Sequence, residues 1–161
     1  MISAKLLMVG DGPERLAAEQ LCRAKGLTNK VKFLGKLRDV EKVLIISDVF
    51  VLPSSTESFG LVALEAQACG TPVVATAIGG LRTAVSDGIS GSLVDGHDPK
   101  AWSAVISRLI MEPQRRLLLS MGAIEHASHF GWENTARKTL DVYDWALTKK
   151  NSSKLKLAED A

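Results

Sequence analysis

Pro53-Ser-Ser-Thr-Glu-Ser-Phe-Gly-Leu-Val-Ala-Leu-Glu-Ala-Gln-Ala-Cys-Gly-Thr-Pro72 decides the fold of this chain. The apolar run Asp48-Val-Phe-Val-Leu52 leads into it and reads as a short buried parallel strand. A second apolar run, Pro72-Val-Val-Ala-Thr76, leads out of it. Between them the spacing predicts a helix with Leu61, Leu64 and Ala68 on one face and Gly70 as the stop. Strand, polar turn, helix and strand make one βαβ unit. Ligands of such folds sit beyond the carboxyl ends of the strands, where helix N-termini point. Glu57 stands in that turn, and Glu65 follows about two helical turns later.

The flanking sequence repeats the alternation. Lys5–Val9 is predicted as a strand running into the turn Gly10-Asp-Gly-Pro13. A helix follows with Leu16, Ala17, Leu21 and Ala24 in register, closed by Gly26. Val31–Leu34 is a second strand ending at Gly35, and 38–47 a short helix. Beyond the central unit come Ile78-Gly-Gly-Leu81 with a short helix to Ser86, a small strand at 90–94, and a helix begun by Asp98-Pro99. Two more helices are expected over 114–129 and 132–148, the latter with Trp132, Ala136, Leu140, Tyr143 and Leu147 on its apolar side. Strands alternating with helices imply an α/β, Rossmann-like parallel sheet with helices on both faces. The expected division is a lobe over 1–148 and a disordered polar tail over 149–161.

Composition removes several classes. The 161 residues suffice for one domain with a core, and 46% hydrophobic content is ordinary for one. Twenty basic and 18 acidic residues leave a net charge of +2, too balanced to argue for nucleic acid or a membrane surface. No apolar run approaches the roughly 18 residues of a spanning helix, and no signal peptide is visible. Cys22 and Cys69 read as two reduced thiols of a cytoplasmic protein. His97, His126 and His129 are scattered and show no metal-ligand spacing.

Three turns are candidates for an anionic ligand. Gly10-Asp-Gly12 and Gly79-Gly80 each follow a strand, and glycine lets backbone N–H groups approach a phosphate. Either could equally be a tight strand-to-helix turn. Arg15 stands where a dinucleotide fingerprint has its third glycine, and no Gly-Lys-Ser/Thr follows. Ser58, Phe59 and Gly60 open the central helix, whose first N–H groups lack partners within the helix. They could meet a diphosphate, or Ser58 could act as a simple N-cap. Glu65, between Leu64 and Ala66, needs a partner if buried, and two ribose hydroxyls would serve. A surface ion pair would serve as well.

Glu57-Ser-Phe-Gly-Leu-Val-Ala-Leu-Glu65, followed by Ala66-Gln-Ala-Cys-Gly-Thr-Pro-Val-Val74, resembles the E-x7-E signature of the retaining family-four (group 1) glycosyltransferases of GT-B architecture. Val9-Gly-Asp-Gly-Pro13, Val31-Lys-Phe-Leu-Gly35, Ser47-Asp48 with Leu52-Pro-Ser54, and Gly79-Gly80 with Asp87-Gly88 and Gly91 come in the family's order. The resemblance covers about residues 4–148. Leu93–Pro99 with Trp102, and Phe130-Gly-Trp-Glu133, are similar to the mycothiol-type N-acetylglucosaminyltransferases; the front half is more similar to the bacillithiol-type.

The resemblance implies the C-terminal, donor-binding lobe of a GT-B enzyme, for a UDP-linked sugar such as UDP-GlcNAc. It implies that Glu57 lies by the sugar ring as the catalytic-site carboxylate. The N–H groups of Ser58, Phe59, Gly60 and Leu61 would meet sugar hydroxyls and the diphosphate, and Glu65 the ribose. Leu34, Gly35 and Lys36 would face the base, and Gly10 and Gly12 would border the cleft. No cofactor or metal is implied. The family's lobe starts with a central strand ending in Gly-Arg and a loop bearing a lysine, and neither is found here. Arg82-Thr83 stands where Pro-Glu is usual. The chain alone is therefore expected to be inactive or nearly so, with an acceptor lobe supplied in cis or in trans. Alternatives are a nucleotide-sugar-binding module without catalysis and, less well matched, a nucleotide-sugar epimerase.

Overall fold

Glycine and proline set most of the element boundaries. The computed structural model describes residues 4–159. It contains strands β1 (Leu6–Val9), β2 (Val31–Gly35), β3 (Phe50–Leu52), β4 (Val73–Thr76) and β5 (Gly91–Val94). The helices are α1 (Arg15–Ala24), α2 (Val40–Ile45), α3 (Leu61–Ala68), α4 (Leu81–Ala84), α5 (Pro99–Met111), α6 (Pro113–Ser128) and α7 (Trp132–Glu159). Gly26 and Gly70 end α1 and α3 in the same way. Each has positive φ, and two backbone bonds fold the chain back onto the helix: Gly70 N–H to Gln67 O at 2.9 Å and Thr71 N–H to Ala66 O at 2.9 Å for α3. At α5, Asp98 accepts from Lys100 N–H and Ala101 N–H, both at 3.3 Å, with Pro99 at the first helical position.

All strand pairs are parallel, but the sheet comes in two pieces. β1 pairs with β2, β3 with β4, and β4 with β5; no strand pairing joins the two sets among the described residues. Among the described strands only β4, held on both edges, is buried along its whole length. Its side chains alternate between two clusters, as strand geometry requires. Val73 and Ala75 pack with Leu44 of α2, Ala63 and Ala66 of α3, and Leu81 of α4. Val74 packs on the other face with Val94, Trp102 and Leu109 of α5, and Leu119 of α6. Helices therefore cover both faces of this sheet. β1 is different: Leu6 is 48% exposed, and Leu16 and Leu21 of α1 are exposed too.

Two expectations change in detail. The buried face of α3 is Ala63, Leu64, Ala66 and Gln67, whereas Leu61 and Ala68 are exposed. Two alanines let this helix lie close on β4, and Leu61 at its open end is left facing out. α7 runs past 148, the expected end of this helix, to Glu159, and no glycine or proline interrupts it. Its apolar side chains, Trp132, Leu140, Tyr143 and Leu147 among them, are exposed. Met1–Ser3 and Asp160–Ala161 lie outside the described residues.

Candidate functional site

The stretch between β3 and α3 is an open turn. No backbone N–H from Ser54 to Val62 finds an acceptor within the chain, among the described residues. The first hydrogen bond is Ala63 N–H to Gly60 O at 2.9 Å. Gly60, not Ser58, holds the N-cap position, with φ of 91°. No side chain caps the helix, and Ser58 is exposed. The positive end of α3 is therefore uncovered.

What holds this turn in place is the segment after β4. An added side-chain carbon on Gly80 would strike the Ser58 carbonyl and the Phe59 Cα, and one on Gly79 would strike the Glu57 carbonyl. The two glycines are thus a close backbone-to-backbone contact. Gly60 faces Leu81, which is fully buried; a Cβ at position 60 would strike its Cδ2. Phe59 is backed by Phe130, with ring centroids 5.9 Å apart and planes at 59°. Phe130 in turn meets the edge of His126 at 5.1 Å, and His126 Nε2 lies 3.3 Å from Thr83 O.

Glu57 is half-buried in the turn, and its Cγ lies 3.6 Å from the space beside Gly60. Glu65 is exposed on α3. Neither carboxylate has a hydrogen bond or ion pair among the described residues. Glu65 is solvated, so the condition of burial under which it would need a partner is not met. Its charge still acts nearby. Burial pushes the Cys69 thiol upward, and Glu41 and Glu65 add to the rise.

The remaining candidates gather at the carboxyl ends of β1 and β2. Gly10 N–H donates to Gly35 O at 2.8 Å, so the two strand ends are tied. Gly12 N–H bonds the Asp11 carboxylate at 3.1 Å, and Gly12 O accepts from Arg15 N–H at 3.1 Å. Leu34 and Gly35 end β2, and Lys36 is exposed just beyond. The structure thus forms two groups: Gly10, Gly12, Leu34, Gly35 and Lys36 in one, Glu57–Leu61 and Glu65 in the other. No hydrogen bond links them among the described residues.

Arg15 was not among the expected site residues. Its guanidinium stands 3.4 Å from where a Gly35 Cβ would be, and it pairs with Glu19 at 2.9 Å and Asp11 at 3.7 Å. The hydrogen bond to Glu19 raises its pKa further. The i,i+4 spacing of Asp11, Arg15 and Glu19 carried this signal in the sequence. Gly79–Gly80 also carry a role that spacing does not reveal, since the partner backbone is about twenty residues away.

A cleft of about 240 Å³ lies elsewhere, between Ser47, Asp48, Pro72, Arg116 and Ser120. These residues border the starting ends of β3 and β4, away from the turn. Its polar groups satisfy one another: Arg116 pairs with Asp48 at 3.2 Å, and Ser120 donates to Gly70 O at 2.6 Å. We read it as structural.

An α/β lobe with an uncapped helix at the carboxyl end of a parallel strand has the geometry in which folds of this class receive anionic ligands. The profile of the group 1 glycosyl transferases matches residues 2–126, and the chain belongs to that family. It is 50% identical over 132 residues to the D-inositol 3-phosphate glycosyltransferase of Salinispora tropica, an alignment covering 81% of this chain and 27% of that protein. The protein of that name from Corynebacterium urealyticum is 47% identical over 138 residues, covering 83% and 32%. This chain therefore spans about a third or less of either relative. Among solved structures, Anabaena HepE in complex with UDP superposes with a TM-score of 0.80 at 28% identity, over 88% of this chain and 41% of that one. Sucrose-phosphate synthase from Thermosynechococcus elongatus gives 0.77 at 34% identity, over 90% and 39%. The fold is the C-terminal, Rossmann-like lobe of a GT-B glycosyltransferase. No described helix is long and apolar enough to cross a membrane.

Proposed function

We propose that this chain forms the donor side of a glycosyl-transfer site and holds a nucleotide-diphosphate sugar, UDP-linked and of the UDP-GlcNAc type. The observation that carries this reading is the run of unpartnered N–H groups from Ser54 to Val62 at the head of α3. A diphosphate would satisfy the donors of Ser58, Phe59, Gly60 and Leu61 and meet the positive end of the helix. The same donors would steady the charge that develops on the leaving diphosphate, a role that asks for no metal ion. Glu57 would bond the sugar hydroxyls and Glu65 the ribose. Leu34, Gly35 and Lys36 would border the base, with Gly10 and Gly12 at the rim. Support comes from the family and from the UDP, UDP-with-glucose and UDP-glucose complexes of Anabaena HepE, which share this fold. Transfer would proceed with retention, through an oxocarbenium-like state attacked from the side the diphosphate leaves.

The acceptor lobe belongs to a different stretch of polypeptide, in cis or in trans, and the chain alone transfers little or no sugar. The two-piece sheet supports this. Among the described residues β1 and β3 each have one paired edge only, and β1 leaves Leu6, Met8 and Val9 exposed. One further parallel strand would join the two pieces. We place the reaction in the cytoplasm, in keeping with free Cys22 and Cys69. The second reading, a nucleotide-sugar-binding module without catalysis, rests on the same turn. Calorimetric titration with UDP tests the binding: saturable binding that Glu65→Ala weakens is expected, and binding indifferent to that change sinks the ribose assignment. An assay of the purified chain with UDP-GlcNAc and simple acceptors separates the readings. Robust transfer would show that this lobe suffices.

A further inference from the structure

Gln67 is fully buried on α3, below the open turn. A buried amide is costly unless paired, and this one is only half paired. Its Nε2 donates to Ala63 O, one turn back, at 2.9 Å, and to Ala84 O at 2.8 Å. Its Oε1 has no hydrogen-bond partner among the described residues. Both groups within reach are carbonyls, which only accept, so only the NH2 end of the amide can face them. A methionine would fill the same space with no stranded oxygen. What the glutamine adds is a hold on Ala84 O.

Ala84 closes α4, which is four residues long. A single helical turn does not stabilise itself, and its last carbonyls have no partner within the helix. The other end of α4 is where Gly79 and Gly80 lie against the Glu57 and Ser58 carbonyls, and Leu81 fills the space beside Gly60. This short helix is thus a strut: its start and middle press on the turn, and its end is anchored by Gln67. We propose that Gln67 is a positioning residue. By holding Ala84 O it fixes α4, and α4 sets where the Glu57–Leu61 backbone donors point. The inference rests on the reading of that turn as the donor site.

The test uses the full chain, labelled for NMR, with Gln67→Met and, as a second variant, Gln67→Leu. The amide resonances of Gly79–Ala84 and Glu57–Leu61 should shift, while those of Val94 and Leu109 in the opposite cluster stay in place. UDP affinity should fall about fivefold, because donors no longer held in place must be ordered on binding. A folded variant whose 57–61 resonances match the wild type would overturn the proposal, because a purely structural glutamine would leave that turn unmoved. If the wild type itself binds no UDP, the donor reading fails, but the NMR comparison still judges Gln67. If both variants unfold, native-state exchange of the wild type decides. The Gln67 side-chain amide and the α4 amides should open in one step, and opening in separate steps refutes the coupling.

Discussion

Gly80 lies against the carbonyl of Ser58 with no room for even a methyl group between them. Its φ is −66°, so the position forbids a side chain by contact and not by backbone conformation. Gly80→Ala should therefore push the 57–60 turn outward. We expect a loss of about 1–3 kcal/mol in stability by thermal or urea melts, the usual range for overpacking, and loss of measurable UDP binding. Unchanged UDP affinity in the variant would mean that the turn does not carry the nucleotide.

Glu65 offers the complementary case. It is exposed and has no partner among the described residues, so Glu65→Ala should shift stability by no more than about 0.5 kcal/mol. If its carboxylate holds the ribose hydroxyls, UDP affinity should drop about tenfold or more, as for lost hydrogen bonds to a charged group. Calorimetry and a melt on the same sample check both halves.

Cys69 reports on the same carboxylate without any ligand. Burial, with Glu41 and Glu65 adding, moves its pKa above the usual thiol value. Less thiolate exists at a given pH, so alkylation by iodoacetamide near pH 8 should be slower than for a free cysteine. Glu65→Gln should speed it, because one of the two opposing charges is gone. Mass spectrometry resolves Cys69 from the buried Cys22.

Asp98 tests the far side of the sheet. It caps α5, and Trp102 one turn on donates from Nε1 to Gly96 O at 2.9 Å. Asp98→Ala should cost about 1 kcal/mol and leave UDP affinity alone, since α5 packs on the face of β4 opposite to α3. A melt and a UDP titration distinguish this from a general loosening of the lobe.

Much of this was legible in the residues. The alternation of short apolar runs with helical spacing, cut by Gly26, Gly35 and Gly70, marks out the elements to within a few positions. Glu57 stands out by its place in the turn at the mouth of the sheet, and Glu65 by its apolar neighbours Leu64 and Ala66 on the helix, although the structure leaves Glu65 exposed. What stayed hidden depends on contacts distant in sequence. Gly79 and Gly80 read as a possible phosphate turn, yet their backbone packs on residues 57–59. Gln67 reads as a polar helix residue, yet it reaches Ala84. Leu61 fits the apolar face of α3 by period and is nonetheless exposed, because Ala63 and Ala66 bring the other side of the helix down on β4.

The divided sheet bears on how the molecule comes apart. β1, α1 and β2 share no strand pairing with β3, β4 and β5 among the described residues, and β4 alone is buried throughout. Two such pieces need not melt as one cooperative unit. The first would open at lower denaturant, with its amides exchanging early, while the second kept its protection. A ligand that reaches from Gly35 to Glu65 would then do more than occupy a site: it would act as the latch that makes the two pieces melt together.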